Sequence, residues 1–165
     1  MAALVTLIVA LTACLSSTAP STEQERGFIY DGTGEAGNLA IVINASTHDA
    51  DIQDKASAQI GGITGHFDDC GNDTFYCLTG LLEIVLPKDM PMKQWKYHGL
   101  SCQSVAQLGS DLFRITCRSP KYRGRPTYTY SLSRGIVSIE SNPVGGSYKY
   151  ELRGERGLFS PGNNP

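Results

Sequence analysis

The clearest pattern along the chain is an alternation of apolar and polar residues between Leu100 and Arg118, which reads LSCQSVAQLGSDLFRITCR. Two strands that meet at Gly109 and Ser110 would collect the apolar residues on one side. That side holds Cys102, Ala106, Leu108, Phe113, Ile115 and Cys117, and the other side holds Gln103, Gln107, Arg114, Thr116 and Arg118. The pattern predicts a half-buried antiparallel hairpin.

The last third of the chain repeats this period of two in the runs TYTYSL, GIVSIES and SYKYELRG. These runs predict an antiparallel meander with alternating tyrosines on its core face. A stacking platform for bases or sugars would use the same residues, Tyr128, Tyr130, Tyr148 and Tyr150. Further strands are predicted at Asn38 to Ala45, Ile63 to Asp68, Phe75 to Thr79, Leu81 to Leu86 and Trp95 to His98.

One segment, Ser46 to Ile60, has the period of a helix. Ser46 and Asp49 are spaced as in a capping box, and Ile52, Ala56 and Ile60 recur every four residues. Gly27 to Gly37 is loop-like. The predicted fold class is therefore mainly β, as a β-rich α+β domain: an antiparallel sheet or small barrel with one short helix, stapled by disulfides.

The N-terminus begins with an uncharged apolar run, Ala2 to Ala13, followed by a Ser/Thr/Pro-rich stretch. Twelve helical residues span about 18 Å, which is too short for a hydrocarbon core of about 30 Å. The run matches the apolar region of a secretory signal peptide. We expect a signal peptide at 1–13, a linker at 14–26, one β-rich domain at 27–158 and a disordered tail at 159–165.

Leu11-Thr12-Ala13-Cys14 resembles the bacterial lipobox, after which lipoprotein signal peptides are cleaved. The resemblance implies that Cys14 becomes the acylated mature N-terminus, anchored by several acyl chains in a membrane facing the periplasm or the cell surface. The residue after the cysteine is Leu15 rather than aspartate, which in enterobacterial systems resembles outer-membrane sorting. The alternative is an ordinary signal peptide cut near Ala13 or Ala19.

The remaining cysteines, Cys70, Cys77, Cys102 and Cys117, are even in number, as expected of paired cysteines in an oxidising compartment. If Leu108 faces Asp111 in the hairpin, Cys102 lies directly opposite Cys117. A four-residue loop puts that pair at a non-hydrogen-bonded position, where strands come closer, and we favour this loop over a two-residue one. Cys70 and Cys77 then form a second staple, because neither spacing suits a four-thiolate zinc site.

Charge divides the chain unevenly. Met1 to Asp111 contains 5 Lys or Arg against 13 Asp or Glu, whereas Leu112 to Pro165 contains 9 against 3. A basic C-terminal third could hold an anionic envelope polymer or an acidic protein surface. The alternative is that the two halves neutralise each other within one fold.

Motifs for catalysis or cofactors are few. The G-x-G-x-x-G pattern from Gly32 to Gly37 precedes a predicted strand, whereas a dinucleotide site needs a helix after it. The acidic run Asp68 to Asp73 lacks the spacing of an EF-hand, which leaves an improvised calcium loop or a solvated turn. The three histidines, His48, His66 and His98, form no recognised catalytic motif. We expect no cofactor, no metal and no nucleic-acid partner.

Size, anchor and disulfides look similar to those of small periplasmic β-barrel lipoproteins, including lysozyme inhibitors, although their inhibitory loop motif does not occur here. The sequence therefore predicts an exported lipoprotein with a binding or structural role in the cell envelope. Two alternatives remain: an envelope hydrolase with a His/Asp site, and a surface adhesin or assembly factor that uses the basic, tyrosine-rich C-terminal third.

Mass analysis of the protein extracted from its native membrane tests the export hypothesis. We expect acylated Cys14 as the first residue, and peptides linking Cys70 to Cys77 and Cys102 to Cys117 that separate on reduction. An unprocessed cytoplasmic form with every thiol open to alkylation would contradict it.

Overall fold

The structure is a computed structural model that describes residues 25–34, 36–54, 63–71, 73–80, 82–107, 110–119, 126–141 and 148–162. The predicted signal peptide, Cys14 and nearly all of the predicted linker lie outside these ranges. Within them the backbone forms strands, turns and bends, and no helix.

The described residues form twelve strands. Their bounds are β1 Glu25–Gly32, β2 Leu39–Asn44, β3 Asp49–Asp54, β4 Ile63–Asp68, β5 Phe75–Leu78, β6 Ile84–Pro87, β7 Gln94–Tyr97, β8 Leu100–Ala106, β9 Leu112–Arg118, β10 Thr127–Ser131, β11 Gly135–Ser141 and β12 Tyr148–Leu152. Each strand pairs antiparallel with the next, except β6 with β7, and β1 also pairs with β12. The sheet thus curls into a nearly closed barrel with a gap between β6 and β7.

The core lies inside this barrel because burial alternates along the strands. In β2, Leu39, Ile41 and Ile43 are buried and the residues between them are half-exposed. Tyr128 and Tyr130 of β10 are buried as well, so these tyrosines belong to the core and not to a surface platform. The predicted mainly β fold, an antiparallel sheet or small barrel, is confirmed.

The predicted helix at 46–60 is wrong for residues 46–54. The Asn44 Oδ1 atom accepts hydrogen bonds from the Ser46 and Thr47 amides, and this Asx turn leads directly into β3. β3 pairs with both β2 and β4. Two backbone ladders and the alternating burial of Ala50 and Ile52 outweigh the local spacing of apolar residues. Ala56 and Ile60 lie outside the described residues.

β1 corrects the prediction of a loop from Gly27 to Gly37 and extends the domain toward the N-terminus. Glu25 and Arg26, which the sequence analysis assigned to the linker, begin this strand. Phe28 and Tyr30 alternate into the core, and their neighbours face solvent. Only three apolar residues of this strand stand between glycines and charged residues, so the local sequence gives a weak strand signal. Pairing with β2 and β12 stabilises the strand.

Side chains join β6 and β7 across the gap. Trp95 Nε1 donates to the Val85 carbonyl oxygen at 3.0 Å, and the Tyr128 hydroxyl donates to the same oxygen at 3.1 Å. The Tyr97 hydroxyl donates to the Cys70 carbonyl oxygen at 2.6 Å. Unpaired strand edges expose backbone groups that attract other chains, and here side-chain donors satisfy two carbonyls near the gap.

The C-terminal segment enters the barrel. The Phe159 ring stacks on Phe67 and Tyr76, with centroids 5.2 and 5.7 Å apart, and both Phe159 and Ser160 are fully buried. The prediction of a disordered tail at 159–165 is therefore wrong for these two residues. Burial of a whole phenylalanine side chain outweighs the entropy lost when the end of a chain is ordered.

Tyr30 fixes this segment to β11. Its hydroxyl donates to the Ile136 carbonyl oxygen at 3.0 Å and accepts from the Leu158 amide at 3.1 Å. Burial raises the pKa of Tyr30, so the hydroxyl stays protonated and keeps its donor. The contact is close because Gly157 has no side chain: a Cβ there would lie 2.0 Å from the Ile136 carbonyl oxygen.

Gly157→Ala tests whether this close approach holds the segment in place. We expect the free energy of unfolding, measured in urea, to fall by about 2 kcal/mol or more, because the added methyl forces the segment away from β11. Gly27→Ala is the control, since a Cβ at Gly27 meets nothing within 4 Å. Equal stability of the two variants would contradict the interpretation.

Candidate functional site

A disulfide joins Cys102 and Cys117 at directly opposed positions of β8 and β9, with Cα atoms 4.1 Å apart. The Gln107 amide donates to the Leu112 carbonyl, so the loop between the strands has four residues. The Cys117 amide donates to Pro126 and not to β8, which makes the cysteines a non-hydrogen-bonded pair. The predicted register and the longer loop are both confirmed.

The second disulfide joins Cys70 and Cys77 across the β4–β5 loop. Asp68 Oδ1 accepts the Cys70 amide at 2.7 Å, and Asp69 Oδ1 accepts the Gly71 amide at 3.1 Å. Both carboxylates therefore cap turns of their own loop. Asp68 does lie near both sulfur atoms, but cysteines in a disulfide provide no thiolate ligands, so this donor set does not fit a zinc ion.

His48 and His66 lie on adjacent chain segments, since the Phe67 amide donates to the His48 carbonyl oxygen, and His98 lies in a separate turn. His66 Nδ1 lies 3.7 Å from Asp49 Oδ1, which exceeds hydrogen-bond length, and both side chains are at least half exposed. His98 stacks on the neighbouring Tyr97 ring in a surface turn. Neither arrangement orients an imidazole as a general base, so the geometry gives the hydrolase alternative no support.

The G-x-G-x-x-G pattern lies in the connection between β1 and β2. Gly32 ends β1, and a Cβ there would lie 2.0 Å from the Gly37 carbonyl oxygen. Gly32 therefore allows the backbone to turn tightly between β1 and β2. No helix N-terminus follows to receive a pyrophosphate, because the next described element is β2.

Most of the described cations in the C-terminal third have protein partners. Arg114 pairs with Glu140, Lys149 with Glu151 and Arg153 with Asp31. Arg134 donates to the Glu155 and Gly154 carbonyl oxygens, and Arg156 to the Pro161 carbonyl oxygen. Among the described residues only the pair of Arg153 and Asp31 joins the acidic part of the chain to the basic third, so neutralisation between the two parts accounts for a small share of the charge pattern.

Six outward side chains of β7, β8 and β9 line a concavity of about 390 Å³. We call them the polar ladder, and they are Gln94, Lys96, Ser101, Gln103, Thr116 and Arg118. Strand register sets them in two rows across the sheet: Lys96, Ser101 and Arg118 in one row, and Gln94, Gln103 and Thr116 in the other. Neighbours in a row lie about 5 Å apart, so the two cations are separated by two strand spacings, about 10 Å.

The polar ladder is positively charged and its polar groups are unused. Its charged members are Lys96 and Arg118, with no carboxylate among the lining residues. Within the described ranges, none of the six side chains makes a hydrogen bond or ion pair with another part of the protein. Five are exposed and Thr116 is half-buried. The face therefore offers two cations, two carboxamides and two hydroxyls to a ligand.

Alternation along the hairpin placed Gln103, Thr116 and Arg118 on its solvent side, but it did not bring them together with Gln94 and Lys96. Their meeting depends on the β7–β8 turn, which sets β7 beside β8. This turn has only two residues, His98 and Gly99, both at positive φ. Turns of this length and conformation fix the register of a hairpin. A glycine-containing pair between QWKY and LSCQ was the available signal.

A second polar cluster holds two loops together. Asp111 Oδ2 accepts hydrogen bonds from the Ser131 and Ser133 hydroxyls, each at 2.7 Å, and from the Ser133 amide at 3.2 Å. These donors lower the pKa of Asp111, the Ser133 hydroxyl most of all. The cluster contains no histidine, and the lowered pKa makes the Asp111 carboxylate a weaker base toward the serine hydroxyls. It joins the β8–β9 loop to the β10–β11 turn.

Comparison with protein-family models, with curated proteins and with solved structures gives no match for the chain. Among the described residues, no helix is long and apolar enough to cross a membrane.

Asp111→Asn tests whether the cluster of Asp111, Ser131 and Ser133 stabilises the protein, through the pH dependence of the free energy of unfolding. The pKa of Asp111 is lower in the folded protein than its ordinary 3.8, so the unfolded chain binds more protons between those values and the stabilisation is lost as pH falls. We expect wild type to be more stable than the variant at neutral pH and the difference to shrink in acid. Asp89→Asn, at an exposed position, is the control; a difference independent of pH would contradict this role.

Proposed function

We propose that the protein is a non-catalytic binding protein of the cell envelope that holds an anionic polysaccharide on its polar ladder. The observation that carries this proposal is the absence of protein partners for the six ladder side chains within the described residues. Four described basic residues form ion pairs with carboxylates, whereas Lys96 and Arg118, like the neighbouring Lys93, form none.

The chemistry of the ladder favours a sugar polymer. Amide and hydroxyl groups exchange hydrogen bonds with sugar hydroxyls, and Lys96 and Arg118 attract carboxylate or phosphate groups. Because the cations are about 10 Å apart, a ligand with repeated negative charges can meet both. Nucleic acid fits less well, since binding of single strands needs exposed stacking rings, and Trp95 of β7 is buried with its Nε1 on Val85.

Location in the cell envelope rests on the lipobox resemblance of Cys14, and the two disulfides are compatible with export. A lipid anchor at the N-terminus would hold the domain beside the acidic glycans that surround bacterial membranes. An adhesin or assembly factor would use the same surface with a partner on another cell or protein, and no contact in the structure favours that role over simple retention of a polymer.

Calorimetric titration with trigalacturonate, a short acidic oligosaccharide, tests the proposal. We expect Lys96→Gln combined with Arg118→Gln to weaken binding about tenfold or more, because two charge-assisted contacts are lost. Added salt weakens wild-type binding, since both cations are exposed. A neutral dextran oligomer should not bind with this salt dependence.

The control is Lys149→Gln combined with Arg156→Gln, which makes the same change in net charge on another part of the surface. An equal loss of affinity in the control would show an effect of net charge alone and contradict a site on the ladder. Binding of trigalacturonate no tighter than that of dextran would also overturn the proposal.

A further inference from the structure

A second concavity adjoins the polar ladder and is lined mainly by apolar residues, with Lys93 and Ser104 also in its lining. It has a volume of about 540 Å³ and shares Gln94 and Gln103 with the ladder. Its apolar lining residues are Pro91, Met92, Val105, Ala106 and Phe113, and we call this surface the apolar groove. The two concavities therefore adjoin at one pair of glutamines.

β8 connects the two surfaces directly. Its outward residues Ser101, Gln103 and Val105 lie on one line, because every second side chain of a strand points the same way. Over these four residue steps, about 13 Å, the face changes from cationic to apolar. Val105 is the most exposed large hydrophobic residue among those described, at 63%.

The wall of the groove is fixed to β8. The Ser104 hydroxyl donates to the Met92 carbonyl oxygen at 2.5 Å, and the Ser104 amide donates to the Lys93 carbonyl oxygen at 2.9 Å. Two bonds from one residue hold the segment before β7 against the sheet. These bonds fix the wall of the apolar groove, and Val105, one of its lining residues, remains exposed to solvent.

We infer that the ligand is an anionic glycolipid, whose charged sugar lies on the polar ladder and whose first acyl-chain carbons lie in the apolar groove. This inference rests on the proposed function and names its ligand class. A free polysaccharide would bind to the ladder and leave the groove uncovered. In a lipid-linked sugar the charged and hydroxyl groups come first and the hydrocarbon chain follows, which matches the polar ladder followed by the apolar groove.

A peptide partner fits this surface less well. Extended peptides bind to sheets mainly at strand edges, where backbone groups are free. The ladder lies on the face of β8 where that strand is paired on both sides, so a peptide finds no free backbone groups there. A sugar brings its own hydroxyls to such a face and needs no backbone partner.

Three soluble alkyl glycosides separate the two halves of the site: methyl glucuronide, octyl glucuronide and octyl glucoside. Amide chemical shifts of the labelled protein report both affinity and location. We expect octyl glucuronide to bind at least about tenfold more tightly than methyl glucuronide, because part of its chain leaves water. Octyl glucoside, which lacks the carboxylate, should bind more weakly than octyl glucuronide.

Val105→Asn should remove most of the octyl advantage and leave the affinity for methyl glucuronide unchanged. Ile29→Asn is the matched control, because Ile29 is also an exposed hydrophobic residue, on β1 and outside both concavities. Lys96→Gln combined with Arg118→Gln should weaken both glucuronides alike and leave octyl glucoside unaffected.

The outcomes distinguish the two proposals. Equal affinity for methyl and octyl glucuronide, with both dependent on the ladder cations, would leave the glycan function standing and overturn the lipid assignment. If octyl glucoside binds as tightly as octyl glucuronide, the charged site itself is wrong. A soluble peptide rich in aspartate and leucine that displaces octyl glucuronide at lower concentration would identify a protein partner instead and also overturn the lipid assignment.

Discussion

The interaction on which the site depends is the inward row of Trp95, Cys102 and Cys117 across β7, β8 and β9. Register sets the three side by side, and the disulfide covalently links two of them. Trp95 also reaches over the open edge of the barrel to the Val85 carbonyl. Because side chains alternate along a strand, burying this row forces the residues on either side of it outward. The two rows of the polar ladder are those residues, so their spacing is fixed by the core beneath them.

The same logic explains why the protein combines a rigid core with an unused polar face. The barrel is closed by pairing of β1 with β12, by donors near the β6–β7 gap and by the C-terminal segment around Phe159. Charged side chains on the outer surface of the C-terminal strands mostly pair with one another. The six side chains of the polar ladder have no such partners among the described residues, so a ligand would replace their hydrogen bonds to water without breaking a side-chain bond within the protein. This lack of side-chain partners distinguishes the outer face of β7, β8 and β9 from that of the C-terminal strands.

Local sequence was a reliable guide where the strand signal and the turn signal agreed. In the Leu100 to Arg118 hairpin, alternation assigned the faces and the cysteines supported the register, and the structure has both. It was unreliable where the two conflicted. Ile52 has helical spacing with residues beyond β3, yet its own neighbours alternate and two strands flank it. Phe159 lies among glycine, proline and asparagine, so nothing nearby indicates that its ring is buried against Phe67, which is far away in sequence.

Local patterns in the sequence predicted the fold class, the faces of most strands and the partners of the cysteines, because each of these depends on residues within a short stretch of chain. Contacts between distant strands set which described cations remain without partners and where the polar ladder meets the apolar groove. Arg153, for example, is neutralised by Asp31 from the opposite end of the domain, whereas Arg118 has no such partner among the described residues. Such differences arise from closure of the barrel, which brings distant strands together, and no local pattern records them.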